Sequence, residues 1–418
     1  MIALLAIHSS PLAQIGGKEA GGMNIYVREL ATQLGARGQQ VDIFTRYQDP
    51  NLPPILPLAP NVRLIHLTAG AVAPYDKNRI LDHLPALLTQ LNATQAANPT
   101  PYRLLHSHYW VSGAVALALR EQWHVPVVQM FHTLGALKNR VARSPAETET
   151  LRRIEIEQTL MQHADVIVAA TALDAEQMHS HYQPRAPIQI IPPGVNLAHF
   201  TPMPQAAARQ QLGLPPDQRI LVCVGRMEPL KGMDNLIRAL ALLHTQHPDW
   251  RESLRVILIG GDNEHQSALW NPEQHRLHAL RHSLDVADAV LFAGAQPHTA
   301  LPAWYAAADV LVVPSHYESF GMVVLEGMAC GVPVIASDVG GMRFSIEPEQ
   351  SGILVPPDDS PALAHALHRL LTTPALQARL RQGGIARAAQ YSWDRITDQI
   401  EHLYRQVLAD TRHLTPDT

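Results

Sequence analysis

Arg226 and Lys231 stand five residues apart across a Pro-containing turn, in the stretch Gly225-Arg226-Met227-Glu228-Pro229-Leu230-Lys231-Gly232. A guanidinium forking onto two oxygens beside a compact ammonium suits a diphosphate. The alternative is structural, with each cation paired to nearby Glu228 or Asp234. A second constellation, Pro314-Ser315-His316-Tyr317-Glu318-Ser319-Phe320-Gly321, is followed by Glu326, eight residues after Glu318. A strand ends there and a helix begins, with Ser319 as candidate N-cap and free backbone N–H groups aimed beyond the sheet. Glu326 is either a helix-surface charge or, judging by Leu325, Met328 and Ala329, a buried acid that needs a partner. The loop Gly16-Gly17-Lys18-Glu19-Ala20-Gly21-Gly22-Met23-Asn24 follows the first apolar run. Its glycines would let backbone amides approach an anion at a helix start, although the common dinucleotide and Walker templates do not fit; a flexible turn is the bland reading. His106 and His108 share a strand face by period two, and His132-Thr133 ends another apolar run. No Cys or obvious third ligand accompanies the pair as zinc would need, so core or supporting histidines are the preferred reading.

Positioning these groups falls to short apolar runs separated by helix-length segments. In the first half the runs are Ile2–Ile7, Val41–Thr45, Val62–Leu67, Leu104–His108, Val127–Phe131, Val166–Ala170 and Ile188–Ile191. In the second they are Ile220–Val224, Val256–Gly260, Val290–Ala293, Val310–Pro314, Val332–Ala336 and Ile353–Val355. Unalternating apolar runs are strands of parallel sheets buried on both faces, and the helical spacers imply βαβ units. Ser144-Pro145-Ala146-Glu147 reads as a capping box opening a helix towards His163. Pro and Gly density at Ile191-Pro192-Pro193-Gly194-Val195-Asn196 marks a linker. The fold class is therefore α/β: two Rossmann-like, doubly wound parallel-sheet domains, 1–197 and 198–394, with a final helix over 395–418 returning to the first. Ligands of such sheets bind beyond the carboxyl ends of the strands, which places the site in an interdomain cleft.

The 418 residues are ample for two cores, and a 17% charged fraction excludes a charge-driven disordered chain. A net charge of −5 argues against a nucleic-acid-coating surface, and two cysteines in apolar surroundings argue against a disulfide framework. No apolar run approaches the ~18 residues of a membrane span, and the N-terminal run lacks a basic flank, so a cytoplasmic location is expected. Only four of the 32 basic residues are lysines: Lys18, Lys77, Lys138 and Lys231. A chain that otherwise uses arginine has kept the compact ammonium at few places, two of them already suspected of binding anions.

The Gly-rich loop, Gly225-Arg226…Lys231-Gly232 and Glu318-Ser-Phe-Gly…Glu326 together resemble the retaining glycosyltransferases of family four, which have the GT-B fold. The resemblance spans nearly the whole chain. It implies a nucleotide-sugar donor held mostly by the second domain, through Arg226 and Lys231 on the diphosphate, Glu318, Ser319, Phe320 and Gly321 at the sugar and Glu326 on the ribose, with Gly16 and Gly17 of the first-domain loop also on the donor. His132 matches the residue lining the reacting sugar, so His132, Arg226, Lys231 and Glu318 are the implied catalytic set. No essential metal or other cofactor is implied, and no Asp-X-Asp occurs in the chain.

Within that family, His106-Ser-His-Tyr-Trp-Val-Ser-Gly113 is similar to sucrose-phosphate synthases and to the inositol-phosphate glycosyltransferases of mycothiol synthesis. Both use a phosphorylated acceptor, a sugar or a cyclitol, and the implied acceptor residues are Asn24, Lys77, Tyr109, Thr133, Lys138 and Arg153. The Gly21-Gly22-Met23-Asn24 loop resembles the cyclitol enzymes, whereas the Gln- and His-rich composition does not. The balance favours glucose transfer from UDP-glucose to fructose 6-phosphate, with UDP-GlcNAc and inositol 3-phosphate as the alternative. A nicotinamide oxidoreductase lacks its fingerprint loop here, and a non-catalytic nucleotide-sugar binding protein would keep both clusters without releasing UDP.

Overall fold

Continuous apolar runs need burial on both faces, and the strands they form have it. The computed structural model describes residues 1–13, 21–142, 145–263 and 268–410. They divide into two units, one of residues 1–13, 22–192 and 393–410, the other dominated by 193–392. The chain thus passes from one unit to the other between Pro192 and Pro193, where the sequence expectation puts 197/198, and returns at Trp393.

The first unit holds β1 (Ile2–Leu5), β2 (Val41–Arg46), β3 (Ile55–Ala59), β4 (Val62–Leu67), β5 (Leu104–His108), β6 (Val127–Met130), β7 (Val166–Ala169) and β8 (Ile188–Ile190). Their order is β3-β4-β2-β1-β5-β6-β7-β8. All neighbours are parallel except β3, which runs antiparallel to β4. Every residue of β1, β2, β5, β6 and β7 is buried, while β3 has none that is. Strand β3 is absent from the sequence reading because it is a Pro-containing, exposed edge; only an edge position tolerates its Pro57. Helix Trp393–Asp410 belongs to this unit. Its Trp393 ring meets Tyr26 edge-on at 5.2 Å, and Arg37 faces Asp394 at 2.5 Å, Asp398 at 2.6 Å and Glu401 at 3.1 Å.

The second unit holds β9 (Arg219–Val224), β10 (Leu254–Ile259), β11 (Val290–Gly294), β12 (Val310–Val313), β13 (Val334–Ser337) and β14 (Ile353–Val355), ordered β11-β10-β9-β12-β13-β14 and wholly parallel. Its core joins Leu221, Cys223, Leu258 and Val312 of the sheet to Leu236, Leu240, Leu363 and Leu367 of flanking helices. In each sheet the order reverses beside its central strand, at β1/β5 and at β9/β12, and the crevice outside such a reversal is where doubly wound sheets bind ligands. Cys223 and Cys330 are buried and free. No helix among the described residues is long and apolar enough to cross a membrane.

Two helix starts differ from expectation. Helix Leu151–His163 is capped by Thr150, whose side chain accepts from the Arg153 amide; Pro145–Glu147 forms only a short 3-10 turn, and Ser144 lies outside the described residues. Helix Met322–Ala329 begins at Gly321 with no side-chain cap, so Ser319 does not cap it. The positive φ of Gly321, +86°, turns the chain by a conformation that serine avoids.

Candidate functional site

In the second unit the carboxyl ends of neighbouring strands β9 and β12 carry the charged motifs. After β9 the chain makes a 3-10 turn, Pro229–Lys231, closed by Gly232 at φ +61°. A Cβ on Gly232 would lie 2.0 Å from the Pro314 carbonyl oxygen, so only glycine lets this turn lie against the end of β12. That approach brings Lys231 Nζ to Glu318 Oε2 at 2.5 Å, across 87 positions of sequence. Arg226 faces Glu228 at 2.8 Å, both about one-third exposed. Asp234, the other suggested partner, faces Arg276 at 3.3 Å. Each suspected phosphate cation is therefore matched to a carboxylate, although only Arg226 has the partner that its own loop suggests.

The Glu318–Gly321 loop is laid over Gly340-Gly341. The Gly341 amide donates to the Glu318 carbonyl at 3.1 Å, and a Cβ on Gly340 would meet that oxygen at 1.8 Å. Ser319 and Phe320 follow the same path; the Phe320 ring is buried 5.7 Å from Tyr391, and the Phe320 carbonyl accepts from Ser345 Oγ at 3.3 Å. Glu326 is 3% exposed, which decides for the buried acid over the surface charge. Its carboxylate accepts from Tyr305 Oη at 2.8 Å and faces His298 Nε2 at 3.2 Å. Burial, with Glu326 beside it, holds the Tyr305 hydroxyl well above its ordinary range. Gly16 and Gly17 lie outside the described residues.

In the first unit a denser cluster forms beyond β5 and β6. The Arg153 side chain is fully buried, and every one of its N–H groups has an oxygen in reach: Nε donates to Glu157 Oε1 at 2.7 Å, Nη1 to Tyr109 Oη at 2.8 Å, and Nη2 to the Thr133 carbonyl at 2.9 Å and hydroxyl at 3.1 Å. Nη1 also faces Glu149 Oε1 at 2.9 Å. That oxygen takes the Lys138 ammonium at 2.6 Å and has Lys77 at 3.6 Å. Three cations thus converge on one carboxylate. Burial opposes its charge, but Arg153, Lys77 and Lys138 outweigh burial and bring Glu149 down to about 2. The Asn139 side chain fixes the loop by accepting from the Glu149 amide at 2.7 Å. Glu157 in turn accepts the Gly135 amide at 2.9 Å, holding the start of the helix that carries Lys138.

Tyr109, Thr133, Lys77, Lys138 and Arg153 are therefore brought together. Asn24 is placed differently: its buried amide donates to Ser9 Oγ and to the Ser10 carbonyl, both at 2.7 Å, bracing the loop after β1. His132 Nε2 lies 3.0 Å from His108 Nδ1, and His106 Nδ1 lies 2.7 Å from Tyr404 Oη. Burial lowers His8, His106 and His132 to about 3 and holds His108 well below its ordinary range, so these rings are neutral. Tyr109 and His132 both have left-handed backbones, at φ +76° and +61°. Such strain in non-glycine residues concentrates at functional positions.

Glu149 and Glu157 are absent from the sequence reading, although their i,i+4 spacing to Arg153 was there to be found. Tyr305 and His298, the neighbours of Glu326, carry no such local signal.

Comparison with known proteins fits this geometry. Residues 20–199 match the model of Glycosyltransferase Family 4, and residues 204–387 that of Glycosyl transferases group 1. A D-inositol 3-phosphate glycosyltransferase of Acidothermus cellulolyticus is 40% identical, covering 98% of this chain and 91% of its own. That of Actinosynnema mirum is 39% identical and covers 97% of both. Among solved structures, sucrose-phosphate synthase from Thermosynechococcus elongatus superposes with a TM-score of 0.89 at 37% identity, over 98% of this chain and 99% of that one.

Proposed function

Because the chain belongs to the family 4 glycosyltransferases and has their GT-B fold, we propose that it moves a hexose from a nucleotide sugar to a phosphorylated acceptor, retaining the anomeric configuration. One observation carries the acceptor half: Lys77, Lys138 and Arg153 converge on a single oxygen of Glu149. Such a convergence holds an anion, and here a carboxylate fills the position. A phosphate dianion carries more charge and more acceptor oxygens, so it competes for those donors and displaces Glu149. Arg153 has no donor left over and contributes to phosphate binding only through that exchange.

The donor half rests on Arg226 and Lys231. As the diphosphate leaves, negative charge grows on its outer phosphate, and these two cations offset it after exchanging Glu228 and Glu318 for phosphate oxygens. No metal is needed in this scheme. Attack comes from the face that the leaving group departs, and the leaving phosphate accepts the acceptor's proton. Holding the acceptor by its remote phosphate orients the attacking hydroxyl.

Fructose 6-phosphate with UDP-glucose is the favoured pair, supported by the likeness to a sucrose-phosphate synthase. The names of the curated relatives favour inositol 3-phosphate as the second reading. The test is to incubate the chain with UDP-glucose, ADP-glucose or UDP-GlcNAc against fructose 6-phosphate, inositol 3-phosphate and their unphosphorylated parents, and to identify products by NMR. An α-linked phosphorylated product from one pair is expected. Equal use of phosphorylated and unphosphorylated acceptors would overturn the reading, as would absence of transfer from every donor.

A further inference from the structure

The histidines that end β5 and β6 carry an asymmetry that fixes a proton. His108 Nδ1 and His132 Nε2 are 3.0 Å apart, so one of the two nitrogens is the donor. His108 is fully buried, and its other nitrogen, Nε2, has no hydrogen-bond partner among the described residues. If His132 donated, His108 would have to carry its proton on that buried Nε2 as an N–H without an acceptor. If His108 donates, the orphan is a lone pair. Buried N–H groups without acceptors are rarer than under-used acceptors, so the second arrangement wins.

We infer that His108 is a positioning residue: its Nδ1–H donates to Nε2 of His132 and locks that ring in the Nδ1–H tautomer. The remaining ring nitrogen of the partly exposed His132, Nδ1, is then a hydrogen-bond donor with no basic lone pair. The same logic applies one residue pair deeper. His106 Nε2 is also buried without a partner among the described residues, while its Nδ1 meets Tyr404 Oη at 2.7 Å. His106 therefore donates to Tyr404, and its ring centre lies 4.3 Å from that of His108. Tyr26 closes the other side, its ring 5.5 Å from His108 and 5.3 Å from His132. The proposed reaction, on which this consequence rests, then has His132 bind a substrate oxygen and leaves the acceptor's proton to the departing phosphate.

Ring-selective 15N-histidine labelling of the full chain tests the lock, with the His132 signals identified by their loss in His132→Gln. Expected are a protonated, pyrrole-type Nδ1 and a pyridine-type Nε2. In His108→Phe the single tautomer should be lost, and His108→Asn, whose amide N–H stands at the place of Nδ1, should restore it. Protonation on Nε2 in the unsubstituted protein would overturn the inference even if His108→Phe failed to fold, and so would an unchanged tautomer in that variant. In transfer assays His108→Phe should lower kcat about tenfold, the scale of one lost hydrogen bond, with acceptor KM within about twofold; an unchanged kcat would overturn the positioning role. If no donor–acceptor pair reacts while the tautomer is as expected, the proposed function fails and the lock stands.

Discussion

Arg153 shows how one side chain organises a site without facing solvent. Removing it leaves the buried Glu157 carboxylate without its cation, held only by the Gly135 amide and the Tyr182 hydroxyl, so Arg153→Met should cost about 3–5 kcal/mol in urea unfolding, the range for breaking one side of a buried pair. A loss below about 1 kcal/mol would mean that the pair is not buried in solution. Glu149 behaves oppositely in ligand binding. Glu149→Gln removes the negative competitor while keeping the shape, so the KM for a phosphorylated acceptor should fall several-fold and inorganic phosphate should inhibit more strongly. Weaker binding would assign Glu149 to holding the cations in place instead. On the other cluster, Lys231→Ala should lower turnover by about 10²–10³, the range for removing one transition-state donor, with the circular dichroism spectrum unchanged. Added EDTA should leave the unsubstituted rate as it was; a loss restored by Mg²⁺ or Mn²⁺ would contradict the metal-free scheme.

At the scale of elements, the glycine turns matter more than the helices they start. Gly232→Ala places a methyl 2.0 Å from the Pro314 carbonyl at a positive φ. It should destabilise the second unit by roughly 1–3 kcal/mol or more and raise donor KM, because the displaced turn carries Lys231. Thermal unfolding and donor titration read both effects, and a silent substitution would mean that the turn relaxes freely. Much of this level was legible in the chain. β4, β5 and β14 match their runs residue for residue, since nearly complete burial fills them with Leu, Ile and Val even where Arg63, His66, His106, Ser107 and His108 interrupt. Elements with exposed or proline-broken runs, such as β3, leave none. Cap motifs at Ser144 and Ser319 point to helix starts that the chain does not use: Thr150 caps the first helix with its own side chain, and the second begins at Gly321 with no side-chain cap. The site's cations were readable from residue type, whereas Lys231 meeting Glu318, or Glu326 meeting Tyr305, depends on strand order that no local pattern encodes.

For the whole molecule, the neutral histidines set the response to acid. His8, His106 and His108 lie far below the ordinary value of 6.5 in the folded chain, His8 and His106 at about 3. Above pH 6.5 they are neutral in both states and cost nothing. As pH falls from 6.5 towards 3 the unfolded chain binds protons that the folded one refuses, so stability drops. His8 and His106 alone give a slope of about 2.7 kcal/mol per pH unit near pH 5, and His108 acts in the same direction. Glu149 adds to this below 4.5, since its stabilising charge is lost as pH falls towards about 2. Urea midpoints measured at pH 7, 6 and 5 should fall steeply over the last step, and His106→Phe should flatten the curve; equal midpoints would refute neutral burial.

The chain leaves the first unit after Pro192 and re-enters it at Trp393. During synthesis, then, β1 to β8 are all made some two hundred residues before the helix that covers Tyr26 and reaches His106, so this unit must wait on the ribosome with that face uncovered while the second matures. A protease cutting the chain after Pro192 alone, or after Ser392 alone, would not separate the halves, because the other crossing still joins them covalently. Release would take both cuts, and a stalled or truncated polypeptide lacking 393–410 should engage chaperones through its first half.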